Sequence, residues 1–192
     1  MLNNTSSLFD IIKNRRSTKP PMMNGKKIPN EQIKQLLELA DWAPTHANTE
    51  PWYFIVYAEP KTFCSEHAEL YRDSTSAEDF MQFNYEKILH NGDKASHLII
   101  AVMKRGHLPK IPALEEIAAT ACAVQNILLG ATALGIASFW STGGMVLNPA
   151  MKQFLNLNEE DIVMGVLYLG YSDSVLSGER IIPISEKVKW IG

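Results

Sequence analysis

Apolar positions along this chain fall into two periods, and each period marks a type of element. Leu8, Ile11, Ile12 and Arg15 keep the one-face spacing of a helix over 6–15, with Ser6 or Ser7 as its cap. Ile33, Leu36, Leu37 and Ala40 repeat that spacing in a second helix opened by Pro29-Asn30. Residues 60–72 predict a third helix with Pro60 at its start. The polar segment 73–96 is weakly patterned, with a helix around 78–90, and serves as either a lid or a plain surface connection. A long helix runs from Pro112 to Leu134, closed by Gly135, and Asn148-Pro149 begins a short one that ends at Leu155. Four runs rich in β-branched and aromatic residues predict strands: Tyr53–Tyr57, His97–Met103, Ile136–Trp140 and Val163–Gly170. Their irregular alternation with helices predicts α+β or α/β architecture, a sheet covered by helices.

The long helix stands out. Ala118, Ala119, Ala121, Cys122, Ala123, Ala131 and Ala133 leave it narrow and apolar nearly all round. Such a helix is expected to be buried. Its small residues also admit a second helix closely, so core, subunit interface or both remain open.

Composition adds bounds. The chain has 192 residues, 46% hydrophobic and 20% charged, which predicts one globular domain spanning 1–192. A net charge of −3 gives no electrostatic footprint for nucleic acid. No apolar run is expected to span a membrane, and the N-terminal stretch has no secretory pattern. Cys64 and Cys122 lack C-x-x-C spacing, which fits a reducing compartment and hence the cytoplasm.

Side-chain catalytic motifs are missing. The sequence contains no H-E-x-x-H, P-loop, G-x-G-x-x-G or G-x-S-x-G. The histidines at 46, 67, 90, 97 and 107 form no i, i+4 pair of the kind that binds zinc, so no metal site is expected. An enzyme of this composition needs a cofactor to carry its hard chemistry.

Three stretches are candidates for holding one. Arg15-Arg16-Ser17-Thr18-Lys19 precedes the rigid Pro20-Pro21; it either complements a helix C-terminus or binds a phosphate-like anion. Pro44-Thr45-His46-Ala47-Asn48-Thr49-Glu50-Pro51 is a polar loop held stiffly between a helix and a strand, either a connector or a ligand loop. Trp140-Ser141-Thr142-Gly143-Gly144 ends a strand in two glycines, which form a turn or bring backbone close to a planar ligand.

Taken in that order and spacing, the three stretches resemble the flavin-dependent nitroreductase family, in its compact YdjA-like branch. The resemblance covers nearly the whole chain. It implies an α+β fold with a central sheet flanked by helices, in an intertwined homodimer with FMN at the interface. It further implies that Arg15, Arg16 and Ser17 contact the phosphate and ribityl side, with Lys19 toward the N1/O2 edge. Pro44, Thr45, His46 and Asn48 would come from the second subunit. Thr142 and Gly143, with Ser141 and Gly144 beside them, would present backbone to the N5/O4 edge, and Arg180 would add a phosphate contact. The implied activity is hydride transfer from NAD(P)H through flavin N5 to a small organic acceptor such as a nitroaromatic or quinone. Two other readings remain: an FMN sensor or store without turnover, and a binding domain that holds no flavin. Glu50 departs from the Gln that many relatives carry before Pro-Trp, which leaves its partner open among Arg16, Lys19 or solvent.

Overall fold

The computed structural model describes residues 8–192; the expected caps Ser6 and Ser7 lie outside that range. Six helices and four strands follow one another as α1 Leu8–Asn14, α2 Asn30–Asp41, β1 Trp52–Tyr57, α3 Pro60–Ser74 and α4 Gln82–His90, then β2 His97–Met103, α5 Ala113–Ala133, β3 Ala137–Ser141, α6 Pro149–Phe154 and β4 Ile162–Gly170. Short 3-10 turns occupy Pro20–Met22, His46–Asn48 and Ile184–Lys187.

The strands form one sheet in the order β1-β2-β4-β3, and every neighbouring pair is antiparallel. That settles the class as α+β. Strand β2 is buried at all of its residues because it sits inside the sheet with helices on both faces. Its side chains alternate: Leu98, Ile100 and Val102 pack with α3, α4 and α6, while Ile99 and Ala101 pack with α2 and α5. On β4 the alternation slips, since Val163 and Val166 both join the α3 side. The cause is a bulge, where Ala101 pairs with Gly165 but Val102 with Val163.

The bulge makes room for a large side chain. Gly165 has φ +145°, and a Cβ there would fall 2.1 Å from Trp140 Nε1. The Trp140 indole lies across that glycine and donates to the Met164 carbonyl at 2.9 Å. The end of β3 is thereby pinned to β4, just before Ser141–Gly144.

Helix α5 lies on the sheet beneath α2, with Ala119, Ala123, Val124, Ile127, Leu128 and Ala131 buried. By length and composition Ala113–Ala133 could cross a membrane, contrary to the expectation of no such run, but half of its apolar window is buried in the protein core. Packing against α2 and the sheet accounts for its composition. Leu114, Ala118 and Cys122 form its outward face. Its first turn is tied down by Glu116, which is 1% exposed, pairs with Arg105 and accepts from the Gly106 amide at 3.1 Å.

Candidate functional site

Residues 15–19 leave α1 in extended form along the free edge of β3, with a parallel bridge between Ser17 and Ser138. The Thr18 amide donates to the Ser138 carbonyl at 2.9 Å. An extended chain sends successive side chains to opposite sides, and here that separates the two arginines. Arg15 and Ser17 line a cavity of about 410 Å³ with Gln125, Ser138, Trp140 and Thr142. Arg16 and Thr18 face another, of about 360 Å³, between the end of α5 and residues 172–176. The Arg16 Nη1 donates to the carbonyls of Lys13 (2.7 Å) and Arg15 (2.8 Å). Gly178 from the C-terminal tail lies on the same guanidinium, where a Cβ would sit 2.5 Å from Nε. The structure therefore groups Arg15 with Ser17 and turns Arg16 away.

Lys19 lines a third cavity, of about 420 Å³, with Ser141, Gly143 and Gly144 from the end of β3. Its far wall is α4, which contributes Asn84, Lys87 and Ile88, with Asn91 just beyond its end. Those residues are spaced i, i+3, i+4, i+7, the single face of a helix. Asn84 and Lys87 lie in the weakly patterned segment 73–96, open from sequence as lid or connection, and were not among the expected site residues. Their spacing was the available signal, obscured because only Ile88 of that face is apolar. Among the described residues, neither Lys19 nor Lys87 has an ion-pair partner, and no carboxylate lines this cavity or the one with Arg15. Two neighbouring cavities thus combine cations with neutral hydrogen-bonding groups and no carboxylate, a set suited to an anion and an electron-rich planar edge.

The turn after β3 is built from specific bonds. The Gly143 amide donates to Ser141 Oγ at 3.2 Å. Gly144 takes φ +66°, which glycine adopts without strain. A Cβ at that position would also fall 2.8 Å from His67 Nε2. The following Met145 amide donates to that same Nε2 at 2.8 Å. His67, on α3, is 3% exposed, and burial drives its imidazole pKa down to about 4. It is neutral, with its proton on Nδ1, because Nε2 is the acceptor.

The loop 44–50 lies elsewhere. Pro44, Thr45 and His46 line a shallow depression of about 350 Å³ on α5 with Glu115, Ala118 and Cys122. His46 Nδ1 and Glu115 Oε2 are 2.5 Å apart, which ties the loop to α5. Three residues of the loop have positive φ without being glycine: Ala47 (50°), Asn48 (53°) and Glu50 (43°). Such strain persists only where the surroundings over-determine it. Here Thr45 Oγ1 accepts from the Glu50 amide at 3.1 Å and sits 2.9 Å from Thr49 Oγ1. The Glu50 carboxylate is exposed and pairs with neither Arg16 nor Lys19. Asn48 lines none of the four cavities. Arg180 is exposed, two residues beyond the glycine that covers Arg16, and also lines none of them. Within one chain, then, the structure brings 15, 17, 19 and 141–144 together but leaves 44–48 and 180 apart.

Known proteins share this architecture. YdjA of Escherichia coli K12, which carries the provisional name NAD(P)H nitroreductase, is 26% identical over 166 residues, covering 84% of this chain and 86% of that protein. A nitroreductase-like family protein from Bacillus cereus superposes with a TM-score of 0.86 at 26% identity, covering 100% of this chain and 99% of that one. A nitroreductase from Bacteroides fragilis, solved with bound FMN, superposes at 0.70 with 23% identity, covering 98% and 100%. Residues 12–171, which run from α1 through the sheet, match the profile of the Nitroreductase family, and the chain belongs to that family.

Proposed function

We propose that this protein is an FMN-dependent oxidoreductase that takes a hydride from NADH or NADPH and delivers it to a small organic acceptor such as a nitroaromatic or quinone. The observation that carries this reading is the carboxylate-free donor set along the free edge of β3. The names of YdjA and the FMN-bound Bacteroides structure support the same assignment.

The residues fit the cofactor. An FMN phosphate carries close to two negative charges, and Arg15 with Ser17 offers it a forked cation and a hydroxyl. Lys19 and Lys87, with Asn84 between them in sequence, suit the pyrimidine edge of the ring, where cations favour negative charge. The amides of Thr142 and Gly144, which donate to no protein acceptor among the described residues, suit the N5/O4 edge. When bound, FMN supplies hydride acceptance and release at N5. The protein's own part is to bind, orient and stabilise charge, with no side-chain acid or base required.

The working form is an intertwined homodimer. Pro44, Thr45, His46 and Asn48 reach a flavin only if it is held by a second chain, since their own chain keeps them on the face of α5. Two apolar surfaces would be covered by such a partner: the Leu114, Ala118 and Cys122 face of α5, and the tail, where Ile181, Ile184, Trp190 and Ile191 are 73–92% exposed. Exposed apolar area of that extent marks an interface. Arg180 on that tail would then approach the phosphate of the partner's cofactor. Residues 1–192 act as one FMN-binding domain, because both apolar clusters share the same sheet. The free, unbridged Cys64 and Cys122 fit a cytoplasmic location.

Steady oxidation of NADH or NADPH by the purified protein, dependent on added menadione or a nitrobenzoate, tests this reading. FMN bound without any acceptor-dependent turnover would point instead to a flavin sensor or store.

A further inference from the structure

His67 is not among the residues proposed to touch the flavin, yet this buried side chain bonds the loop on which the flavin's reactive edge is proposed to rest. We propose that His67 is a positioning residue: its neutral imidazole accepts the Met145 amide and so fixes the Thr142–Gly144 backbone against the cofactor. The inference rests on the flavin reading for what the loop faces, but the bond itself stands on geometry.

Three observations converge. Met145 donates to Nε2 at 2.8 Å, the distance of a well-formed bond. Gly144 packs so closely over the ring that a Cβ would fall 2.8 Å from Nε2 and 2.9 Å from Cε1. His67 also lines the cavity that contains Lys19, Lys87 and Ser141. On its other side the ring packs on Phe63, with centroids 5.2 Å apart, inside the α3 core. The imidazole is thus a fixed post between α3 and the glycine turn, which on its other side is held by the bond from Gly143 to Ser141 Oγ and by the buried Met145 and Val146. Its Nδ1 is buried without a partner. Carrying an unpaired buried N–H costs stability, a cost that fits a ring placed for its other nitrogen. A small shift of the anchored Met145 amide would move the Gly144 amide, its direct neighbour, and the Thr142 amide, three residues before Met145.

Holoprotein variants test this. His67→Leu keeps volume but removes the acceptor, whereas His67→Gln can place Oε1 near the lost Nε2. The expected result is a visible-band shift, a changed midpoint potential and FMN affinity lowered roughly tenfold in the Leu variant, with recovery toward wild type in the Gln variant. A folded Leu variant whose flavin spectrum and potential match wild type would overturn the proposal. Should the Leu variant not fold, 15N spectra of histidine in the wild-type apoprotein decide. An unprotonated Nε2 coupled to the Met145 amide is expected, and a protonated Nε2 would overturn it. Wild-type protein that takes up no FMN would instead sink the flavin reading, while the 15N result would still judge the bond.

Discussion

The guanidinium of Arg16 donates to the backbone carbonyl of Arg15, 2.8 Å away, so two adjacent arginines have unlike environments. Arg15 opens toward Ser17 and Thr142, whereas Arg16 binds its own helix end through Nη1 beneath the tail and keeps a buried Nε without a partner. Arg15→Ala should remove a charge-assisted bond worth about 1.5–3 kcal/mol, lowering FMN affinity roughly ten- to a hundredfold. Arg16→Ala should change affinity by less than about threefold while lowering the melting temperature, because the two carbonyls lose net bonds of about 1 kcal/mol each. Fluorescence-quenching titration and thermal unfolding of both variants separate the roles.

The loop before β1 offers a stability test. A non-glycine residue in the left-handed region costs roughly 1–2 kcal/mol, and glycine there loses about 0.5–1 kcal/mol through backbone entropy. Glu50→Gly, at φ +43°, should therefore stabilise the protein by up to about 1 kcal/mol. Thr45→Val should do the opposite, since it strips the bonds to the Glu50 amide and Thr49. Urea unfolding midpoints measure both.

His67 predicts a pH dependence. Its pKa is lowered from 6.5 to about 4 by burial, so the unfolded chain binds the proton more tightly. Lys19 and Lys87 line the same cavity, and no carboxylate there offsets the effect. Its contribution is full above pH 6.5, falls as pH drops toward 4, and is flat below. The span amounts to about 3 kcal/mol at most. A His67→Gln variant should show a shallower loss of stability between pH 6.5 and 4 than wild type.

Arg105 and Glu116 form a buried ion pair at the start of α5, with side chains 15% and 1% exposed. Removing one partner leaves the other charge buried, which typically costs about 3–5 kcal/mol. Arg105→Met should therefore destabilise strongly, and adding Glu116→Leu should recover much of the loss. A double-mutant cycle by chemical denaturation reads the coupling.

Much of this was legible in the sequence. Helix α5, strands β2 and β4 and the Pro-framed loop all fall within a few residues of where their patterns place them, because apolar runs and proline punctuation act locally. The facing of individual side chains was not. That Arg15 and Arg16 part company depends on the Ser17–Ser138 bridge, a pairing between segments far apart in the chain. Asn84 and Lys87 stayed unnoticed because polar residues on a half-exposed helix carry no hydrophobic period. Core and interface were both open for the small residues of α5; Ala123 is fully buried, whereas Ala118 and Cys122 face outward. A helix apolar all round does not reveal from sequence which side meets its own core.

The cofactor itself is the most direct test of the central claim, that the edge of β3 holds FMN through Arg15, Ser17, Lys19 and Lys87. Heat release from the purified or FMN-reconstituted protein, followed by chromatography, measures its identity and amount. FMN is expected at one per chain, with the yellow spectrum of a bound flavin and a loss of loading in an Arg15→Ala, Lys87→Ala double variant. A colourless protein that takes up no FMN, a preference for FAD, or full loading of that double variant would contradict it.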